Sequence, residues 1–406
     1  MPSTLPDGDP APADGSLPSS ALPGVGERPF GVYLHVPFCA SRCGYCDFNT
    51  YTASELGGRT DPAAYLVAAR KEIALARRVL GDADVRASTV FVGGGTPTLL
   101  GAAGLTDLLA EVRETFGLTE GAEVTTEANP ESVDPAMLSA LLEAGFTRIS
   151  FGMQSAAPHV LAVLDRRHTP GRALEAAREA RVAGFQHVNL DLIYGMPGES
   201  DDDWRHSLDA ALSVEPDHVS AYSLIVEDGT RLATRVRRGE LPMPDDDVLA
   251  DRYAIADAAL GAAGLQWYEV SNWATDRAAR CRHNELYWTG GDWWGVGPGA
   301  HSHVGGVRWW NVKHPAAYAE RLAAGVSPAH ARETLTVDER YDEELLLGLR
   351  LVDGVAAARL RRGALAAAPA LVDGGLLDRS SWDAGRAVLT DNGRLLADGV
   401  VRTLLG

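Results

Sequence analysis

The sequence predicts an α/β protein whose main body is a parallel sheet or barrel, with a smaller α-rich region after it. Three observations carry this reading. From about residue 30, short apolar runs alternate with stretches of helical periodicity, the pattern of repeated strand–helix units. Helix boundaries are marked as well: Asp134-Pro135 and Thr169-Pro170 are entries, and Gly145 and Gly184 stand just past helix ends. The alternation stops near residue 272, and a different, helix-rich composition begins after Arg332.

In chain order, residues 1–28 place Pro2, Pro6, Pro10, Pro12, Pro18 and Pro23 among Ser, Gly, Ala and Asp. So few large apolar groups, with donors removed by proline, predict a disordered tail. Strands are expected at Gly31–Val36, Ser88–Val92, Glu123–Glu127, Arg148–Met153, His187–Ile193, His218–Val226 and Gln266–Val270. Between them the periodicity gives helices at Ala63–Leu80, Leu105–Thr115, Pro135–Ala144, Gly171–Ala183, Asp202–Ser213 and Asp246–Ala263. In repeated strand–helix folds, sites lie at the C-terminal ends of the strands. The stretch 272–331 is rich in tryptophan and glycine and reads as a connecting region. Residues 332–406 give helices at Asp338–Leu349 and Ala356–Leu360, a hairpin near Leu376–Thr390 and a closing helix to Leu405.

Composition narrows the function. A chain of 406 residues with 46% hydrophobic and 23% charged content suits a soluble protein of one large and one smaller domain. A formal charge of −18 argues against a nucleic-acid partner. No stretch approaches the ~20 apolar residues that span a bilayer. The N-terminus carries no basic residue before Arg28, so neither a secretory nor a mitochondrial signal fits. Four cysteines, three of them clustered, point to a reducing compartment, and a cytoplasmic location is expected.

The clustered three follow the first strand as Cys39-Ala-Ser-Arg-Cys43-Gly-Tyr-Cys46. A tight loop brings such thiolates within a few ångströms, where three can hold three irons of a [4Fe–4S] cube and leave the fourth open. Zinc and plain reduced thiols are the other readings. Structural zinc usually takes four protein ligands in paired spacing, however, and no second CxxC exists. Polar signatures close the later strands: Gly93-Gly-Gly-Thr-Pro-Thr98, Glu127, Gln154 and Asp191. Glycines let backbone approach a ligand, though they also make plain turns. Asp191 stands inside an apolar strand, which is costly unless its charge is used. Arg166 can grip a carboxylate with both ends of its guanidinium, or can simply be a solvated helix-end residue.

CxxxCxxC before an aromatic-rich segment resembles the radical SAM superfamily. Tyr33-Leu-His-Val-Pro-Phe-Cys39 with Cys46-Asp-Phe-Asn49 is similar to the branch of oxygen-independent coproporphyrinogen III dehydrogenases and heme chaperones. The resemblance runs from about residue 30 to the C-terminus. It implies an incomplete (β/α)6 radical SAM barrel at 29–271, the connecting region at 272–331, and the branch's small α-rich C-terminal domain at 332–406. It implies that Cys39, Cys43 and Cys46 hold a [4Fe–4S] cluster whose open iron takes S-adenosyl-L-methionine (SAM). Gly94, Gly95 and Thr96 would then receive the SAM amino group, with Glu127, Gln154, Arg166 and Asp191 around it. Tyr33 and Tyr45 would pack on cluster or adenine.

In the dehydrogenases a fourth cysteine follows two residues after the third, where this chain has Phe48. His283-Asn-Glu-Leu-Tyr-Trp288 resembles the HNxxYW motif associated with heme binding in the chaperones. His283 is therefore expected to be heme-linked, with Cys281 as an alternative axial ligand; by themselves these residues read as an aromatic core holding a hydrogen-bonded histidine. The resemblance implies a heme chaperone that delivers heme to recipient hemoproteins, membrane-associated respiratory enzymes among them, and draws on a reducing electron donor. The competing reading is the dehydrogenase itself, decarboxylating coproporphyrinogen III by radical chemistry.

Overall fold

The computed structural model describes residues 5–58, 61–165 and 169–406. Strands β1 (Asp9–Pro10), β2 (Phe30–Val36), β3 (Ala87–Gly94), β4 (Leu118–Ala128), β5 (Arg148–Gln154), β6 (His187–Tyr194) and β7 (His218–Ser223) belong to one sheet. So do β8 (Gln266–Glu269), β9 (Asn272–Ala274), β10 (Asp292–Val296), β11 (His301–Val304), β12 (Val307–Asn311) and β13 (Ala329–Thr334). Its order is β1-β13-β12-β11-β10-β2-β3-β4-β5-β6-β7-β9-β8.

From β2 to β7 the strands are parallel neighbours in chain order. Parallel neighbours cannot be joined by a tight turn. Each crossover accordingly carries a helix: Pro62–Leu80, Gly101–Phe116, Pro135–Ala144, Arg172–Ala183 and Asp201–Leu212. Asp61 and Asp134 cap two of these helices by accepting the N–H of Ala64 and Met137, each at 2.8 Å, ahead of a proline. Gly145 ends the second with φ 105°, which costs a residue without Cβ nothing. The outward side chains of the strands and the inner helix faces form the main core, with Trp204, Trp273 and Tyr65 fully enclosed. The result is an open, incomplete barrel.

Past β7 the expectation of a further parallel strand fails: β8 and β9 form an antiparallel pair on the β7 edge. The region 272–331 does more than connect. Its strand β10 lies parallel beside β2, and β11, β12 and β13 continue antiparallel from it. The N-terminal segment also differs from expectation. The reading of 1–28 as a disordered tail is corrected for the described residues, because β1 pairs with β13 and Ser327 N donates to Ala13 O at 2.7 Å. Proline is tolerated on an edge strand that need not donate on both sides.

After β13 a second hydrophobic cluster gathers Leu345, Leu349, Leu371, Leu377, Val400 and Leu404. The expected helix at 356–360 is a single 3₁₀ turn, Ala357–Arg359. Instead of a hairpin, Leu377 and Leu389 meet in one bridge around the short helix Arg379–Asp383, while β15 (Arg386–Ala387) pairs with β14 (Val355–Ala356). This region is tied to the barrel where Val352 N donates to Tyr268 O at 2.8 Å.

Candidate functional site

The cysteine loop leaves β2 at its C-terminal end. Tyr51 N donates to Pro37 O at 2.7 Å and Cys39 N to Tyr51 O at 3.0 Å, so the loop is closed at its base. Its crown is held as well, by Gly44 N on Leu164 O at 2.9 Å and Leu232 N on Gly44 O at 2.8 Å. Cys39, Cys43 and Cys46 are half-buried and form no disulfide. Burial, with a smaller push from the Cys43 and Cys39 thiols, takes the Cys46 thiol up to about 11. Three thiols close enough to oppose one another's ionisation are a donor set that a cationic iron cluster would satisfy. Among the described residues no group of three His, Cys, Asp or Glu side chains is converged on a metal position. The loop after β3 lies directly against them. Gly95 N and Thr96 N donate to Val36 O and Phe38 O at 2.8 and 2.7 Å, and a Cβ on Gly95 would sit 3.0 Å from Cys39 Sγ. Only glycine allows that approach.

Beside this loop the inward side chains of β2 to β7 line a cavity of about 180 Å³. Glu127 accepts from Gly94 N at 3.0 Å. Burial, and then the Asp191 charge, push its carboxyl up to about 8. Across the cavity Asp191 accepts from Ser150 Oγ at 2.7 Å and Asn189 Nδ2 at 2.8 Å. A wall carrying two carboxylates favours a cationic ligand.

The far side of the cavity is built by the short helix Arg282–Trp288, which carries HNxxYW. Its seat is Glu123 on β4, which pairs with Arg148 Nε at 3.1 Å and accepts from Arg282 N and His283 N at 3.2 and 3.0 Å. Arg148 Nη2 reaches Ala279 O at 2.5 Å, while its Nη1, which is buried, has no partner. His283 stacks on Phe91 with ring centroids 5.2 Å apart. Its Nδ1 meets Thr89 Oγ1 and its Nε2 meets the Tyr287 hydroxyl, both at 2.8 Å. Gly31 lets the helix lie this close, since a Cβ there would stand 2.7 Å from Leu286 Cδ2. Burial raises the carboxyl of Glu269 to about 7, and its Oε1 accepts from Asn272 Nδ2 at 2.5 Å.

The sequence-predicted residues are thus partly assembled. Tyr33, Glu127, Asp191 and His283 line one cavity. Gly94 touches Glu127, and Gly95 touches Cys39. Tyr33 points its hydroxyl at His35 Nδ1, 3.0 Å away. Tyr45 packs instead with the apolar group around Val160, Leu164 and Leu232, away from that cavity. Gln154, with φ 67°, is buried, and its side-chain oxygen has no partner. Arg166 lies outside the described residues. His283, expected to be heme-linked, is 1% exposed with both ring nitrogens engaged, and burial takes its pKa down to about 3. Cys281 is likewise buried, its thiol 3.7 Å from Glu123 Oε1. Sequence reasoning missed Glu123, which seats the helix, and Arg148, Ser150, Asn189 and His218, which also line the cavity. Their signal was present as alternation: Glu123, Thr125 and Glu127 on β4, Arg148 and Ser150 on β5, Asn189 and Asp191 on β6, and His218 and Ser220 on β7 stand two residues apart.

Comparison with known proteins agrees with this geometry. Residues 33–211 match the radical SAM superfamily model. The chain is 57% identical to the heme chaperone HemW of Mycobacterium tuberculosis, covering 95% of this chain and 98% of that protein. It is 33% identical to the heme chaperone HemW of Bacillus subtilis, over 92% and 99% of the two chains. Among solved structures, coproporphyrinogen III oxidase from Escherichia coli superposes with a TM-score of 0.81 at 23% identity, over 95% of this chain and 92% of that one, a likeness of fold alone.

Proposed function

We propose that this chain, which belongs to the radical SAM superfamily and within it to the HemW heme chaperones, binds a [4Fe–4S] cluster, SAM and heme and passes the heme to recipient hemoproteins. The observation that carries the reading is the likeness to the mycobacterial chaperone along 98% of that protein's length. Phe48, 51% exposed beside the cysteine loop, stands where the dehydrogenases have a fourth cysteine and supports the same side.

Cys39, Cys43 and Cys46 would hold the cluster, which when bound supplies an iron with one position open to an outside ligand and a path for a single electron. Because the N–H groups of Gly95 and Thr96 already serve the cysteine loop, the glycine run offers carbonyl oxygen to an ammonium group. Glu127 and Asp191 offset the positive charge of a sulfonium. The unpartnered oxygen of Gln154 suits a ribose hydroxyl. Heme engagement through HNxxYW requires His283 Nε2 to exchange the Tyr287 hydroxyl for iron. No helix of the described residues is long and apolar enough to cross a membrane. A cytoplasmic location, a reducing electron donor and recipients that include membrane-associated respiratory enzymes complete the proposal.

The test is anaerobic reconstitution followed by separate titrations with heme and with coproporphyrinogen III, SAM and reductant present. A saturable heme spectrum and no decarboxylated product are expected. Harderoporphyrinogen or protoporphyrinogen IX in the second titration would assign the chain to the dehydrogenases instead.

A further inference from the structure

The position of Asp191 is set by a run of buried hydrogen bonds whose direction can be worked out from its two ends. At one end a carboxylate only accepts, so the amide nitrogen of Asn189 must be the atom facing Asp191 Oδ1 at 2.8 Å. The same nitrogen lies 2.6 Å from Ser150 Oγ, and that hydroxyl turns its own proton to Asp191 Oδ2 at 2.7 Å. Asn189 Oδ1 therefore faces His218 Nδ1, 2.6 Å away, and must accept from it. His218 is 2% exposed and lies beside the Arg148 charge, both of which favour the neutral ring. A neutral imidazole whose proton sits on Nδ1 has a bare Nε2. That atom is 2.8 Å from the Tyr268 hydroxyl, which must donate. At the other end the phenol oxygen accepts the backbone N–H of Cys281 at 3.2 Å. Cys281 is the N-cap of the HNxxYW helix.

We infer that Tyr268 and His218 are positioning residues for Asp191, and that they join the cofactor face of the barrel to the seat of the HNxxYW helix. The inference rests on the reading of Asp191 as a SAM-facing residue. Apolar side chains would fill a barrel interior at less cost than Ser150, Asn189 and His218, each of which must be matched when buried. A fully matched polar run fixes one arrangement of its members. Here the arrangement fixed is the rotamer of Asp191, through an amide that has no freedom to flip while His218 holds its oxygen. His218 bonds Asn189, and Tyr268 bonds His218, so both act on Asp191 through Asn189.

Tyr268→Phe deletes one oxygen atom and keeps the ring. In anaerobically reconstituted protein it is expected to weaken SAM binding about tenfold at unchanged iron content. In an Asp191→Ala background the same change is expected to alter SAM affinity by less than about twofold, because no carboxylate remains to be positioned. An equal loss in both backgrounds would mean a general structural effect and would overturn the inference. Histidine-selective ¹⁵N NMR of the unaltered protein tests the direction without any variant. A proton on Nδ1 of neutral His218 is expected, and one on Nε2 defeats the argument. Failure of the unaltered protein to bind SAM would remove the reading of Asp191 itself. SAM binding that depends on Asp191 but ignores Tyr268→Phe would remove only the positioning role.

Discussion

Replacing Glu123 by Gln tests whether the HNxxYW helix is seated by a buried charge. The two side chains of the Glu123–Arg148 pair are each 2% exposed, at 3.1 Å. Gln keeps the shape, so no cavity term enters. Removing one member of a buried pair and leaving the other charge unmatched costs about 3–5 kcal/mol. Glu123 also accepts from Arg282 N and His283 N. An amide has one acceptor oxygen, so its NH₂ end must face one of these donors, and an unmatched buried donor adds about 1–3 kcal/mol. Only the local seat needs to yield, because Arg148 Nη2 and Arg282 N both bear on segment 279–282. Taking about 3 kcal/mol as the smallest loss, amide exchange at Arg282 and His283 should accelerate by at least roughly a hundredfold. Hydrogen exchange followed by mass spectrometry, on a peptide across 279–288 against a reference peptide in β5, reads this directly. Exchange within about twofold of the unaltered protein would refute the claim that Glu123 seats the helix.

Ala at Cys39, Cys43 or Cys46 should each abolish the broad visible absorbance of the reconstituted cube, whereas Cys281→Ala retains it; stoichiometric zinc without iron uptake would defeat the assignment. Glu127, with its folded pKa raised to about 8, binds a proton that the unfolded chain releases near its ordinary value of 4.5. Its contribution to the stability of the SAM-free fold is therefore fully present below that value and is lost as pH rises through about 8. SAM's sulfonium favours the carboxylate, so SAM affinity should rise with pH up to about 8 and then level, and Glu127→Gln should flatten the profile in a calorimetric titration. Tyr287→Phe frees His283 Nε2 from a competing hydroxyl and should tighten heme binding about fivefold in a spectral titration, the worth of one ordinary hydrogen bond; an unchanged affinity would remove His283 as the ligand.

Most of the barrel was legible because its signals are local. Strand runs, Asp-Pro entries and glycine stops need only neighbours within a few residues, and Pro135–Ala144 was placed to the residue. What was not legible depends on partners far along the chain. The tail reads as unable to bury anything because its own composition is poor, yet Gly8 lies against Trp310, and Arg332 Nη1 donates to Ser16 O at 3.1 Å. Nothing in the residues next to Glu72 sets it apart from any other polar position in a helix. It is enclosed, and it accepts from Gly297 N at 2.8 Å, Asn311 Nδ2 at 2.7 Å and the Tyr318 hydroxyl at 2.5 Å, which fastens the second half of the sheet to the first crossover helix.

The HNxxYW stretch shows where motif and geometry diverge. By sequence, an imidazole among aromatic rings reads as an iron ligand beside a macrocycle wall. In the fold the motif histidine is already answered within the chain, its ring nitrogens by Thr89 and Tyr287 and its backbone N–H by Glu123. Such matching is what a buried helix of seven residues needs in order to stay seated, since it is too short to be stable alone. The same groups cannot hold the helix in place and ligate an iron at once. A heme-binding role for the motif therefore implies a second arrangement in which the seat at Glu123 or the bond to Tyr287 has been given up, and the energy of that seat sets how rarely it is reached. Glu123→Gln and Tyr287→Phe weaken different parts of the same closed state, so both should raise heme affinity if the open arrangement is the one that binds.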